Sequence, residues 1–204
     1  MPTRTLFAAL AFGVMTAACQ ATPLSITNPS FEDLALGEEG FLFTIPGWTN
    51  TGDSGTYNPS TANYPGPVPD GNNVAFSAVG GPWISQVLTD TVEAETPYEL
   101  TVQIGRRRSI SVWPGYVVEL RAGGSVLASD NSAVVPALGT FEPSVISYTA
   151  MTGNPAVGEP LEIRFRSLGP QVNFDAVTLR AIPEPMSGLL ALMTAVSIAS
   201  WRRA

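Results

Sequence analysis

The chain has no histidine and no lysine in its 204 residues, and a single cysteine, Cys19. Without imidazole or amine side chains, Ser-His-Asp and Cys-His nucleophiles, histidine-ligated zinc, Walker-type phosphate loops and lysine Schiff bases are all excluded. Chemistry is left to carboxylates, hydroxyls, aromatic rings and oxygen-ligated cations such as calcium. One cysteine cannot staple the chain with an internal disulfide. Positive charge is scarce as well. Residues 22–180 hold sixteen of the chain's acidic residues and seven of its arginines, a net charge of −9. So acidic a segment argues against nucleic acid, and against an anionic polysaccharide as the main partner. No stretch of 22–180 carries a convincing helical period.

The two ends are organised differently. Residues 1–21 read as a secretory signal peptide, with Arg4 ahead of the apolar Leu6–Ala18 and cleavage after Ala18 or Ala21. Thr16 stands where a lipobox prefers leucine, so Cys19 is read as a leftover of the signal peptide. Residues 181–204 contain Pro183-Glu184-Pro185, an uncharged run Met186–Trp201, and a closing Arg202-Arg203. A helix of that run spans about 24 Å, short of the roughly 30 Å hydrocarbon core, and the arginines would hold its end in the cytoplasm. An ordinary single-pass tail anchor is one reading. The order of the three features resembles the PEP-CTERM sorting signal of Gram-negative bacteria. That resemblance implies processing by an exosortase-type membrane protease, transient anchoring of the C-terminal helix in the inner membrane, and delivery to the cell surface or extracellular matrix.

Between the ends, residues 22–180 suffice for one domain with its own core. Pro97–Ile104 alternates, with Tyr98, Leu100, Val102 and Ile104 on one side. Leu161–Ser167 alternates more clearly, Leu161, Ile163 and Phe165 facing inward. Ile84–Thr89, Tyr116–Ala122, Val145–Ala150 and Val172–Leu179 complete the strands, and turn residues separate them. The expectation is an all-β antiparallel sandwich, a jelly roll. Within the last strand Val172 and Phe174 set one parity while Val177 and Leu179 set the other, which predicts a bulge near Asp175. A bulge that re-aims a carboxylate makes Asp175 a candidate site residue; an acid that merely tolerates a kink is the alternative.

Four clusters carry the remaining polar and aromatic signal: Asn28–Asp33, Ile45-Pro46-Gly47-Trp48 with the loop that follows it to Asp70–Phe76, Trp113–Tyr116, and Asn173–Val177. Trp48 is either a core cap or a ligand platform. Trp113, in a Pro-Gly loop, is an exposed ring or a ligand contact. Tyr57 and Tyr64 stack on a ligand or only pin their loop. Arg106-Arg107-Arg108 is a solvated run offsetting nearby acids, or an anion contact. Asp70-Gly71-Asn72-Asn73 is a turn first and a calcium loop second.

A domain that opens with Asn-x-x-Phe-Glu and closes with Phe-Asp-x-Val-x-Leu resembles carbohydrate-binding-module jelly rolls. The resemblance implies a structural calcium held by Glu32, Asp175 and backbone carbonyls. The run from Asn28 to Leu179 also resembles the hapalindole-type (Stig) cyclases. It does so through Asn28–Glu32, Ile45–Trp48, Tyr57-Asn58-Pro59, Tyr64-Pro65-Gly66, Pro69–Phe76, Ser85-Gln86, Tyr98–Val102, Pro114–Tyr116, Val118–Leu120 with Ala122-Gly123-Gly124, and Phe174-Asp175. Those are secreted, calcium-dependent proteins that rearrange and cyclise an isonitrile-bearing indole terpenoid. This second resemblance implies Asp175 as general acid, with Trp48, Phe76 and Trp113 as pocket walls; Phe76 stands where the cyclases carry a tyrosine. Together the two ends and the domain lead to the expectation of an exported calcium-binding protein whose aromatic residues Trp48, Tyr57, Phe76 and Trp113 bind a glycan or exopolysaccharide. The alternative is a cyclase-like lyase or isomerase.

Overall fold

The computed structural model describes residues 20–182. Residues 1–19 of the expected signal peptide and residues 183–204 of the expected sorting tail, with Pro183, Glu184, Pro185, Arg202 and Arg203, lie outside the described residues. The described chain forms twelve strands and no helix: β1 (Thr22–Pro23), β2 (Phe41–Leu42), β3 (Thr49–Asn50), β4 (Ser54–Tyr57), β5 (Val74–Ala78), β6 (Ile84–Thr91), β7 (Pro97–Arg106), β8 (Tyr116–Ala122), β9 (Ser125–Asp130), β10 (Thr140–Thr149), β11 (Pro160–Ser167) and β12 (Gln171–Ala181). They pair antiparallel into a seven-stranded sheet, ordered β10-β7-β12-β5-β4-β2 with β1 on the far half of β12, and a five-stranded sheet, β3-β6-β11-β8-β9. The jelly-roll sandwich expected from the alternating segments is the observed fold.

The core fills the space between the sheets. Leu100, Val102 and Ile104 of β7 and Phe174 of β12 face Leu161, Ile163 and Phe165 of β11, and all are fully buried. Period-two alternation places them there, because every second side chain of a strand points to one face. Phe165 stacks on Phe174 with ring centroids 4.5 Å apart.

The bulge lies where the parity change puts it. The register of β12 against β7 shifts between Asp175 and Thr178, and Ala176 takes φ 44°. The freed amide of Val177 donates to Pro29 O across 3.0 Å. The bulge thus lets β12 keep Phe174 and Val177 in the core while Asp175 turns to the outer face, buried beneath a loop.

The N-terminal signature motifs turn out to be packing devices. Trp48 is 7% exposed, its ring 5.3 Å from Phe165 and 5.6 Å from Phe31, and its indole N–H donates to Asn28 O at 3.1 Å. Gln86 clamps the same corner, donating to Thr27 O and Gly47 O while accepting from Thr27 N. Gly47 is at φ 81°, and a Cβ there would meet Thr27 Cγ2 at 2.6 Å. Only glycine seats Trp48 this way.

Candidate functional site

The outer face of the seven-stranded sheet carries two polar regions. Register fixes which residues share it: Gly55 lies opposite Phe76, Phe76 opposite Asn173, and Asn173 opposite Gly105. One row along, Tyr57 lies opposite Val74, with Phe41 outside it on the edge strand. The approach of β2 needs Gly55, since a Cβ there would come within 1.9 Å of Leu42 O.

The first region is a cavity of about 420 Å³, lined by Glu39, Phe41, Phe43, Asp53, Tyr57, Phe76, Ala78, Val79, Arg107, Pro170 and Gln171. Three of its rings form an edge-to-face cluster: Phe41 to Phe43 at 5.5 Å, Phe43 to Phe76 at 6.0 Å and Phe41 to Phe76 at 6.3 Å. Phe76 is buried, whereas Phe41 and Phe43 are 54% and 60% exposed. Rings left open to solvent beside a cavity offer a ready apolar surface to a ligand.

The polar rim is tied together through Tyr57. Its hydroxyl donates to Glu39 Oε2 at 2.7 Å and accepts from Asn63 Nδ2 at 3.1 Å. Glu39 Oε1 further accepts from Ser60 N, Ser60 Oγ and Asn63 Nδ2. These bonds, the Ser60 hydroxyl first and Tyr57 next, hold the Glu39 carboxyl down at about 2. Tyr57 moves the other way, pushed up to about 12 by burial and then by its bond to Glu39. The proton therefore stays on Tyr57, and Glu39 is an anion already engaged by protein donors. Asp53 lines the cavity without such an engagement.

The second region lies under the loop that joins β4 to β5. Asp175 is fully buried; its Oδ2 accepts from Asp70 N at 3.0 Å and its Oδ1 from Ala176 N at 2.7 Å. Glu32 Oε1 accepts from Asn72 N at 2.9 Å and Asn73 N at 2.6 Å, and Ser30 Oγ donates to Asp70 Oδ2 at 2.5 Å. Burial pushes the Asp175 carboxyl up to about 8, and the neighbouring Asp70 and Glu32 charges add to that against the pull of the two amides. A carboxyl so placed needs either a proton or a cation.

Calcium fits this cluster in ligand chemistry. Every candidate donor is an oxygen, and Asn73 Oδ1 is buried with no hydrogen-bond partner. Among the described residues no three carboxylates group closely enough to hold a metal by themselves, so neutral oxygens such as Asn73 Oδ1 would have to complete the shell.

The sequence candidates therefore separate. Tyr57 and Phe76 meet at the cavity. Glu32 and Asp175 meet at the covered cluster, and Asp175 is not among the cavity's lining residues. Trp48 belongs to the core and reaches neither region. Trp113 packs half-buried, 6.1 Å from Tyr116 and with the Arg106 guanidinium 5.8 Å from its ring, and is not among the cavity's lining residues. Tyr64 pins its loop, stacking on Phe141 at 4.5 Å and donating to Asn173 Oδ1 at 2.9 Å. The residues missed in the sequence are Glu39, Phe41, Phe43, Asp53, Arg107 as a cavity residue, and Gln171. The one available signal was Phe41-Leu42-Phe43, an apolar run in an acidic, glycine-rich stretch.

The profile of the HpiC1-like family, described by HpiC1 cyclase, matches residues 22–180. Among solved structures, the Stig cyclase Fisc from Fischerella sp. TAU, in complex with (3Z)-3-(1-methyl-2-pyrrolidinylidene)-3H-indole, is 28% identical with a TM-score of 0.74 over 80% of this chain and 99% of its own. A cyclase from Fischerella sp. TAU in complex with 4-(1H-indol-3-yl)butan-2-one is 29% identical, also with a TM-score of 0.74, over 80% of this chain and 98% of its own. An arabinose-bound α-L-arabinofuranosidase shares the fold alone, at 14% identity and a TM-score of 0.54 over 81% of this chain and 27% of its own. No curated protein sequence matches the chain.

Proposed function

The chain belongs to the HpiC1-like cyclase family, and from that membership we propose that it is a cyclase-type lyase or isomerase acting on a flat, apolar aromatic substrate of the indole type. The observation that carries this reading is the cavity walled by Phe41, Phe43 and Phe76 and rimmed by Tyr57. Two of the cyclase structures to which the chain is similar hold indole compounds, and three ring edges around a cavity suit such a ring system. The expected glycan-binding function is the weaker reading, because Tyr57 is only 4% exposed, Trp48 is a core residue and Trp113 packs partly buried against the core.

Within this proposal the rings hold the substrate, and aromatic faces stabilise positive charge that develops during rearrangement. Asp53 is the carboxyl group at hand to exchange a proton with the bound molecule; Glu39 is committed to its own donors. Asp175 takes the other of its two expected roles. Together with Glu32, Asp70 and Asn73 Oδ1 it would hold a calcium ion, which neutralises the cluster and fastens the β4–β5 loop to the sheet.

Turnover is testable with an isonitrile-bearing indole terpenoid, because rearrangement and cyclisation yield a product of unchanged mass at a new chromatographic position. Asp53→Asn should abolish that product, while Asp175→Asn in saturating calcium should act through stability. An Asp175→Asn protein that stays folded but inactive, beside an active Asp53→Asn, would return the acid role to Asp175. The proposed export route is separable. Mass spectrometry of the exported protein should find a C-terminus near Pro183–Pro185, and recovery of intact Trp201-Arg202-Arg203 would retire exosortase processing.

A further inference from the structure

Arg107 lines the cavity, and no described carboxylate lies within ion-pair distance of its guanidinium. It takes part in none of the ion pairs among the described residues, all of which lie among Glu119, Arg121, Glu162 and Arg164. Its hydrogen bonds go to neutral acceptors: Nε to Ser109 Oγ at 2.6 Å and Asn63 Oδ1 at 3.3 Å, and Nη1 to Gln171 Oε1 at 3.0 Å. No described residue accepts from Nη2. The guanidinium lies 5.3 Å from the centre of the Tyr57 ring. It is thus anchored on one edge by uncharged partners, while its other edge is left to the cavity.

The cavity's two carboxylates do not fill that need. Glu39 is taken up by Ser60, Asn63 and Tyr57. Asp53 lies at the opposite end of the floor: its carbonyl accepts from Ala78 N, Ala78 lies opposite Gln171, and Gln171 is bonded to Arg107. Three strand spacings, about 14 Å between backbones, separate the two ends. The small side chain of Ala78 keeps the floor between them low. An anchored guanidinium facing a partly apolar cavity is the arrangement that recognises a carboxylate by charge-assisted hydrogen bonds.

We infer that the substrate of this cavity carries a carboxylate, which pairs with Arg107 while the aromatic ring packs against Phe41, Phe43 and Phe76 and any ring N–H points toward Asp53. This rests on the reading of the cavity as an aromatic-substrate site and adds an acidic group to that substrate. Arg107 then acts as a specificity determinant that separates acidic from neutral ring compounds of the same shape.

The test is calorimetric titration of the purified full chain with two probes of matched size, 4-(1H-indol-3-yl)butan-2-one and 3-(1H-indol-3-yl)propanoate. They differ in a methyl ketone against a carboxylate. The acid should bind at least about tenfold more tightly, as expected for a hydrogen bond to a charged group. Arg107→Gln should remove the preference, lowering affinity for the acid at least about tenfold more than affinity for the ketone. Gln171→Glu, which supplies Arg107 with an internal carboxylate and keeps the cation, should remove it too and serves if Arg107→Gln does not fold. Equal or tighter binding of the ketone by the unaltered protein overturns the inference and leaves the proposed function standing. A preference that survives both variants also overturns it. Failure of both probes to bind overturns the aromatic-substrate reading, and the inference falls with it.

Discussion

Two carboxylate-bearing regions share one face of one sheet and differ in whether the chain covers them. At the cavity the β4–β5 loop leaves the face open; three phenylalanine rings form its wall, and the single engaged carboxylate, Glu39, is held ionised by Ser60 and Tyr57. At Asp175 the same loop closes the face with the Asp70 amide, and burial lifts the carboxyl to about 8. Coverage decides the role. An acid under a lid of amides and neighbouring carboxylates is suited to a proton or a hard cation, while an acid on an open apolar floor is suited to a substrate. Two resemblances read from sequence gave Asp175 competing roles, calcium ligand and general acid, and its burial under the loop favours the first in the proposal made above.

The largest effect should appear at Asp175. In chelator, its folded pKa near 8 exceeds the ordinary value of 3.8. The stabilisation from its retained proton is therefore fully present below pH 4, declines as pH rises, and is gone above about pH 8. The loss is on the order of 5 kcal/mol, and Asp175→Asn should flatten that slope in urea-unfolding measurements across the range. A variant with an unchanged slope would show that the buried carboxyl does not titrate as its surroundings demand.

Next in size is the sandwich that supports both regions. Phe165→Ala removes the ring shared by Trp48 and Phe174 and should cost about 3–5 kcal/mol by equilibrium unfolding. It should weaken the cavity and the covered cluster alike, since both rest on the same sheet. Calcium should distinguish them. Excess calcium should raise the melting temperature at pH 9 by roughly 5–10 °C over chelator, the gain expected at about a hundredfold excess over Kd, and Phe76→Ala should leave that gain intact. An equal melting temperature with calcium and with chelator would remove the cation from the account. Smallest is Phe76→Ala itself: affinity for 4-(1H-indol-3-yl)butan-2-one should fall by about tenfold while the pH slope from Asp175 is unchanged.

Much of the scaffold was legible in the sequence because it is built from alternation. Leu100, Val102 and Ile104, and Leu161, Ile163 and Phe165, face one core and so repeat with period two. The parity change between Phe174 and Val177 marked the bulge for the same reason. Strands β4 and β5 went unread because both of their faces are covered, which erases the alternation, and β2 and β3 are too short to show any. Trp48 was legible as an aromatic after a Pro-Gly turn, but its partner Phe165 lies more than a hundred residues away, so its destination in the core was not. The cavity had the same difficulty. Glu39, Asp53, Arg107 and Gln171 come together only through the order β7-β12-β5-β4, a long-range fact that no local pattern encodes. Glu32 and Asp175 were put together in the sequence by the carbohydrate-module resemblance, and the pairing of β1 with β12 brings the chain's opening and closing motifs to one corner.

The separation of cavity from covered acid is tested most directly by a crystal structure of the protein soaked with 4-(1H-indol-3-yl)butan-2-one. The account predicts the indole ring against Phe41, Phe43 and Phe76, with Asp175 still capped by the Asp70 amide. A ring found instead against Asp175, with the β4–β5 loop displaced, would contradict it.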